Sequence, residues 1–167
     1  MNRDAFLSRS GGVYEKTPWI CEGAWDAGFI RESLDLHGGL PSLLESFFEQ
    51  HASAAQRLEL LRSHPDLAGK LAAAKQLTVE STQEQKGAGL DQCSPEELAE
   101  FQALNGRYTE KFGFPFILAV AGYDRQGILE VFRRRMDHAY DEELKEALAQ
   151  VHKIAKIRIQ RECAASS

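Results

Sequence analysis

The sequence lacks the cysteine pattern of a disulfide-stapled or zinc-binding protein. Its 167 residues include only three cysteines, Cys21, Cys93 and Cys163, which are widely spaced and form no Cys-X-X-Cys pair. A sparse, odd-numbered set of this kind is typical of a reducing compartment and gives no framework for a zinc ion. We therefore expect structural thiols and a cytoplasmic location.

Long apolar runs and an excess of positive charge are also missing. No segment approaches the roughly 18 apolar residues of a membrane span, and the opening MNRDAFL lacks the apolar core of a signal peptide. The net charge is -5, whereas a surface for nucleic acid or anionic lipid is expected to be basic. These absences predict a soluble protein without a nucleic-acid or membrane partner.

The chain does contain enough apolar sequence for one globular domain. Its hydrophobic content is 43% over 167 residues, and single domains commonly have about 100–200 residues. Apolar residues recur at three- and four-residue steps, which predicts helices in segments 41–61, 94–111, 126–139 and 142–163. The second segment begins with Ser94 as the cap, Pro95 at the first helical position and Glu97 at the third. Its predicted buried stripe is Leu98, Phe101, Leu104 and Tyr108. His51 lies on the apolar face of the first of these segments, so we expect a core histidine there.

The stretch Ser63-His64-Pro65-Asp66-Leu67 contains the histidine with the most defined local environment. Proline suits the first turn of a helix, which Leu67, Leu71 and Ala74 would continue, and it moves the preceding residue out of the α region. His64 is then predicted at or beside the N-cap, where the positive end of the helix dipole favours a neutral imidazole that exchanges protons near neutral pH. His64 is a candidate acid or base; alternatively, Ser63 and Asp66 cap a helix and His64 is a loop residue.

The stretch Ser81-Thr82-Gln83-Glu84-Gln85 has the form of a capping box. Ser81 could accept a bond from the amide at the third helical position while Glu84 reaches back to the amide of Ser81, which is a sufficient structural reason for both. Gly87 and Gly89 follow, and each costs about 1 kcal/mol in a helix interior relative to alanine. Because these glycines lower the stability of the helix, helix capping alone is a weak reason for Glu84, and a functional role for this residue is favoured.

Three further features admit both a structural and a functional interpretation. The apolar run from Phe112 to Val120 is broken by Gly113 and Pro115, which predicts buried irregular or extended backbone whose polar groups need partners, a polar ligand among them. Arg158 continues the apolar stripe of the last predicted helix. It either snorkels to solvent or offers a fork for a carboxylate or ureido group. Asn105 is similarly either a satisfied core amide or a site residue.

Five stretches together carry a resemblance to a known family. They cover nearly the whole chain in order: YEKTPW at 14–19, HPDLAGK at 64–70, STQEQ through GAGL at 81–90, FGFPFI at 112–117, and KIAKIR at 153–158. In these motifs the chain resembles the OHCU decarboxylase (2-oxo-4-hydroxy-4-carboxy-5-ureidoimidazoline decarboxylase) family. The resemblance implies an all-α fold, a compact multi-helix bundle in a single domain spanning 1–167, which forms a homodimer and uses neither metal nor organic cofactor.

The resemblance also implies an activity and a set of residues. The reaction is the decarboxylation of OHCU to (S)-allantoin, the last step from urate to allantoin. His64 is implied as the catalytic acid or base, Glu84 as acting with it, and Arg158 as holding the substrate. Further implied substrate contacts are Pro65, Ser81, Thr82, Gln83, Glu84, Gln85, Phe116, Ile117, Leu118, Ala119 and Val120. Two alternatives stay open: a cofactor-free hydrolase of a ureido or imidazoline compound, and a non-catalytic helical ligand-binding module.

Overall fold

The computed structural model describes residues 2–30, 39–69 and 75–165. Within these ranges the protein contains eight α-helices and one short 3-10 helix, and no strand. The helices are α1 (Arg3–Ser10), α2 (Trp19–Asp26), α3 (Leu40–His51), α4 (Ala54–Arg62), α5 (Val79–Gly87), α6 (Pro95–Phe112), α7 (Arg125–Arg135) and α8 (Tyr140–Ala165), with the 3-10 helix at Leu90–Gln92. The predicted all-α fold is confirmed.

Contacts between Cα atoms divide the chain into two compact units. The first unit comprises residues 1–63 and 151–167, and the second comprises residues 64–150. Helix α8 contributes to both units, since the boundary falls between Gln150 and Val151. The single domain proposed from the sequence stays a prediction.

In the first unit, α2 packs against both α1 and α3. The ring of Phe6 stacks on Trp25 with centroids 5.3 Å apart. A Cβ at Gly23 would come within 2.5 Å of the Phe47 ring, so this close approach of α2 and α3 requires glycine. His51 is exposed at the end of α3, stacked on Phe47 at 4.7 Å. The predicted core histidine at this position is therefore wrong.

The second unit is built around α6, whose start agrees with the prediction. Ser94 accepts a hydrogen bond from the amide of Glu97, the Glu97 side chain accepts one from the amide of Ser94, and Pro95 occupies the first turn. The helix ends at Gly113, whose φ of 80° is the left-handed conformation common after a helix. Phe101, Leu104 and Tyr108 are buried as predicted, whereas Leu98 is 37% exposed.

Residues 115–120 follow α6 without regular secondary structure. Phe116 is fully buried, and Ile117, Leu118, Ala119 and Val120 are buried as well. The prediction of buried irregular backbone is thus confirmed. Among the described helices, none combines the length and the hydropathy that crossing a bilayer requires.

Candidate active site

His64 is buried but does not begin a helix. Its side-chain environment leaves the residue only 8% exposed. Ser63 is the C-cap of α4, and residues 65–69 form a turn in which Ala68 has a φ of 51°. The placement of Pro65 in a first helical turn is wrong, and so is the N-cap argument for a neutral imidazole. Leu71 and Ala74, the predicted continuation of that helix, lie outside the described residues.

Helix α5 begins three residues before the predicted capping box. Thr78 is its N-cap, and the Thr78 hydroxyl accepts the hydrogen bond from the amide of Ser81. Ser81 is therefore the third helical residue rather than the cap, and the predicted Ser81–Glu84 box is wrong. Capping the helix no longer gives a reason for a carboxylate at Glu84, which strengthens the functional interpretation of that residue.

The five residues predicted around Glu84 divide between two faces of α5. Ser81 and Gln85, four residues apart, are buried on one face, and Glu84 is half-buried. Thr82 and Gln83 are exposed, and the Thr82 hydroxyl donates to the backbone oxygen of Thr78. The helical repeat thus presents Ser81 and Gln85 together.

Gln85 attaches α5 to the turn that follows His64. Its Oε1 accepts from the amide of Ala68 at 3.1 Å, and its Nε2 donates to the oxygen of Asp66 at 3.2 Å. From α6, Asn105 Nδ2 donates to the oxygen of Leu67 at 2.9 Å. Two buried amide side chains therefore fix residues 66–68, and with them the chain that leads away from His64. Asn105 supports the site, a possibility that the sequence left open.

The backbone at 116–120 is already partly satisfied by the protein. The oxygen of Ile117 accepts from Arg135, and the amide of Ala119 donates to Gln150. The oxygen of Val120 accepts from the amide of Tyr123 at 3.0 Å. A ligand at this segment would therefore have to use other backbone groups than these three.

In the first unit, Arg158 is buried in an ion pair. Its guanidinium Nη2 lies 3.0 Å from Oε2 of Glu15, and the side chains are 3% and 1% exposed. Its Nη1 also donates to the oxygen of Val13 at 3.4 Å. Arg158 does not snorkel. A guanidinium has five N–H donors in a planar fork, and Arg158 contacts Glu15 through Nη2 and Val13 through Nη1.

Reasoning from the sequence assigned no role to Glu15. Its neighbour Tyr14 is buried and shares a 2.8 Å hydrogen bond with Nδ1 of His152. Burial lowers the pKa of His152, so this ring favours its neutral form. The only signal in the sequence was an acidic residue among aromatic ones. That signal does not identify its arginine partner.

A cavity of about 550 Å³ in the second unit lies beside the turn that follows His64. Its described lining includes Ala68, Thr82, Gln85 and Cys93, but neither His64 nor Glu84. Thr82 and Gln85, two of the residues implied as substrate contacts, thus both line this cavity. No group of three or more potential metal ligands was found among the described residues.

The matching family can now be set beside this geometry. A sequence model of the OHCU decarboxylase family matches residues 1–160. The chain belongs to the OHCU decarboxylase family. The family resemblance inferred from the five motifs is therefore confirmed.

Individual relatives agree over nearly the full chain. The chain is 37% identical to the 2-oxo-4-hydroxy-4-carboxy-5-ureidoimidazoline decarboxylase of Halalkalicoccus jeotgali, covering 95% of this chain and 85% of the relative. It is 35% identical to the protein of the same name from Haloferax volcanii, covering 95% and 89%. Among solved structures, (S)-allantoin synthase superposes with a TM-score of 0.76 at 29% identity, covering 97% of this chain and 51% of that one.

Proposed function

We propose that this protein is a carboxy-lyase that decarboxylates OHCU to (S)-allantoin, the last step in the conversion of urate to allantoin. The observation that carries the proposal is the family match over residues 1–160, and the named relatives are decarboxylases of OHCU. The buried His64, followed by a turn that is tied to the helix of Glu84, supports it.

The substrate can supply its own electron sink. When the C4–carboxylate bond breaks, its electron pair forms a C4=C5 double bond, and the π electrons of the ring C5=N imine move to nitrogen, which takes up a proton. The resulting enol then loses the proton of its C4 hydroxyl and gains one at C5, which gives the C4 carbonyl of allantoin. Many decarboxylases use pyridoxal phosphate or thiamine diphosphate for such a sink; here the chain needs only to orient the carboxylate and move protons.

The catalytic residues in this proposal are His64 and Glu84. His64 moves a proton between the C4 hydroxyl, solvent and C5, and Glu84 sets the tautomer or charge of the imidazole. Histidine suits this task because an imidazole can both accept and donate a proton. Delivery of the proton to one face of C5 gives one enantiomer of allantoin.

The substrate-binding residues are proposed from the same matching motifs. Pro65, Ser81, Thr82, Gln83, Glu84 and Gln85 contact the ring or the ureido group, together with the backbone of Phe116, Ile117, Leu118, Ala119 and Val120. The side-chain amide of Gln85 already bonds to residues 66 and 68, so a substrate would use its second Nε2 hydrogen or the second lone pair of Oε1. Arg158 binds the anionic substrate through its positive charge and planar guanidinium. The proposal also includes a homodimer, a cytoplasmic location and no cofactor.

Replacement of Arg158 by lysine should show whether Arg158 binds the substrate or only stabilises the folded protein. Lysine retains the positive charge for Glu15 but not the planar fork, so we expect KM to rise about tenfold with a smaller change in kcat. Steady-state kinetics and the melting temperature measure the two effects. Arg57→Lys, which alters a partly exposed arginine paired with Glu49, is the matched control. Unchanged KM and kcat in Arg158→Lys would show that Arg158 serves only its pairing with Glu15.

Release of CO₂ tests the proposed reaction and separates it from its alternatives. OHCU is made in situ from urate with urate oxidase and hydroxyisourate hydrolase, and the protein is then added. We expect faster CO₂ release than in the spontaneous reaction. Ring opening without CO₂ would instead support a cofactor-free hydrolase, and consumption at the spontaneous rate would support a ligand-binding module without turnover.

A further inference from the structure

Two helices hold the backbone on either side of Leu118. Arg135, the last residue of α7, donates from Nη1 to the oxygen of Ile117 at 2.6 Å. Gln150 of α8 accepts at Oε1 from the amide of Ala119 at 3.0 Å. Both side chains are buried, Arg135 with 1% and Gln150 with 8% of its surface exposed. The peptide unit before Leu118 and the peptide unit after it are therefore each fixed by one side chain.

The planar geometry of the peptide bond determines where the N–H and C=O groups of Leu118 point. The described chain contains no cis peptide, and in a trans peptide the C=O and N–H groups point in opposite directions. Because the Ile117 oxygen faces Arg135, the N–H of Leu118 points away from Arg135. Because the N–H of Ala119 faces Gln150, the C=O of Leu118 points away from Gln150.

The polar groups of Leu118 themselves have no hydrogen-bond partner within residues 2–30, 39–69 and 75–165. Leu118 is nevertheless 95% buried, since its exposed fraction is 5%. Leaving a buried backbone donor or acceptor unsatisfied costs about 1–3 kcal/mol. An amide or ureido group offers both a carbonyl and an N–H, which are the partners that these two groups of Leu118 require.

The two holding side chains are themselves immobilised. Arg135 Nε donates to Oε1 of Glu143 at 2.7 Å, and its guanidinium lies 4.5 Å from the centroid of the Phe116 ring. Gln150 Nε2 donates to Glu146 at 2.9 Å, which orients the amide so that Oε1 faces Ala119. Neither side chain can rotate without losing a second interaction.

We propose that Arg135 and Gln150 are positioning residues that aim the N–H and C=O of Leu118 at an amide or ureido group of the substrate. The proposal rests on the proposed decarboxylation and adds two residues that do not touch the substrate. Their effect passes through the backbone, so they act on the affinity for the substrate more than on the chemical step.

Gln150→Leu and Arg135→Lys test the proposal through their separate effects on KM and kcat. Leucine at position 150 removes the oxygen that accepts from the amide of Ala119. Lysine at position 135 keeps a positive charge beside Glu143, but it lacks the planar guanidinium that bonds to Glu143 and to the oxygen of Ile117 at once. Loss of one aligned hydrogen bond corresponds to about a 3- to 10-fold rise in KM, and we expect kcat to fall by less. A merely structural defect lowers the folded fraction, which reduces the apparent kcat and leaves KM unchanged.

Matched controls make the same substitutions on exposed surface. Gln102→Leu alters an exposed residue of α6, and Arg133→Lys alters an exposed arginine of α7 that pairs with Glu100 of α6. Both variants should retain the KM of the unsubstituted protein. If Arg135→Lys does not fold, Gln150→Leu decides the matter. An unchanged KM in folded Gln150→Leu would overturn this inference and leave the proposed decarboxylation standing. Absence of CO₂ release by the unsubstituted protein would overturn the proposed function and this inference with it.

Discussion

Replacement of His64 by asparagine lowers kcat for OHCU decarboxylation by about 10²- to 10⁴-fold, the usual contribution of one general acid–base group. Asparagine resembles histidine in size and polarity, so the buried position remains filled. It cannot take up and return a proton near neutral pH, and the proton transfers at C4 and C5 then depend on solvent. Steady-state kinetics with freshly generated OHCU measure the loss.

His51→Asn is the matched control for this substitution. His51 is exposed at the end of α3 and stacks on Phe47, so asparagine there should leave kcat within about twofold, as surface changes generally do. The melting temperature of His64→Asn shows whether it remains folded. Near-wild-type turnover by folded His64→Asn would rule out His64 as the proton-transfer group.

Replacement of Glu143 by alanine lowers the free energy of unfolding by about 3–5 kcal/mol, the range for breaking a buried ion pair. Glu143 is fully buried, and its carboxylate accepts from Arg135 Nε, from the hydroxyl of Tyr108, and from Nδ1 of His138 at 3.0 Å. Alanine would leave the guanidinium of Arg135 without its counter-charge in a buried site. Urea unfolding followed by circular dichroism measures the change.

Glu100→Ala provides the comparison at the surface. Glu100 pairs with Arg133, and both side chains are at least one-third exposed, so alanine should change the free energy of unfolding by less than about 1 kcal/mol. An equally small change in Glu143→Ala would mean that the buried carboxylate contributes little to stability. An interaction other than the one with Glu143 would then have to hold Arg135 in place beside Ile117.

Local sequence signals predicted the parts of the fold that depend on neighbouring residues. The start of α6 followed from Ser94, Pro95 and Glu97, since caps and first-turn prolines act within a few residues. The irregular backbone after Gly113 followed from glycine and proline within an apolar run. Such features need no knowledge of tertiary contacts.

The errors arose where two local solutions compete. Thr78 and Ser81 can both cap a helix, and the structure uses Thr78, which buries Ser81 and Gln85 on one face. Pro65 can begin a helix, but it can equally follow the end of one, and here the turn after His64 is held by Gln85 and Asn105. The bonds that decide between these solutions come from residues distant in the sequence.

The supporting residues of the candidate site were the hardest to predict. Glu15 and Arg158 belong to opposite ends of the chain, and Arg135 directly follows Arg133 and Arg134, from which nothing in the sequence distinguishes it. Their burial and their partners are set by tertiary packing, which a single sequence does not display. The motif residues His64, Glu84 and Arg158 could be named because the family resemblance pointed to them.

The optical purity of the allantoin formed is the most direct test of the central claim. OHCU made in situ from urate decays spontaneously to racemic allantoin, whereas an enzyme that protonates one face of C5 gives a single enantiomer. Circular dichroism of the product should show an excess of (S)-allantoin that grows with protein concentration and disappears with His64→Asn. Racemic allantoin formed at the spontaneous rate, with folded unsubstituted protein present, would contradict the claim.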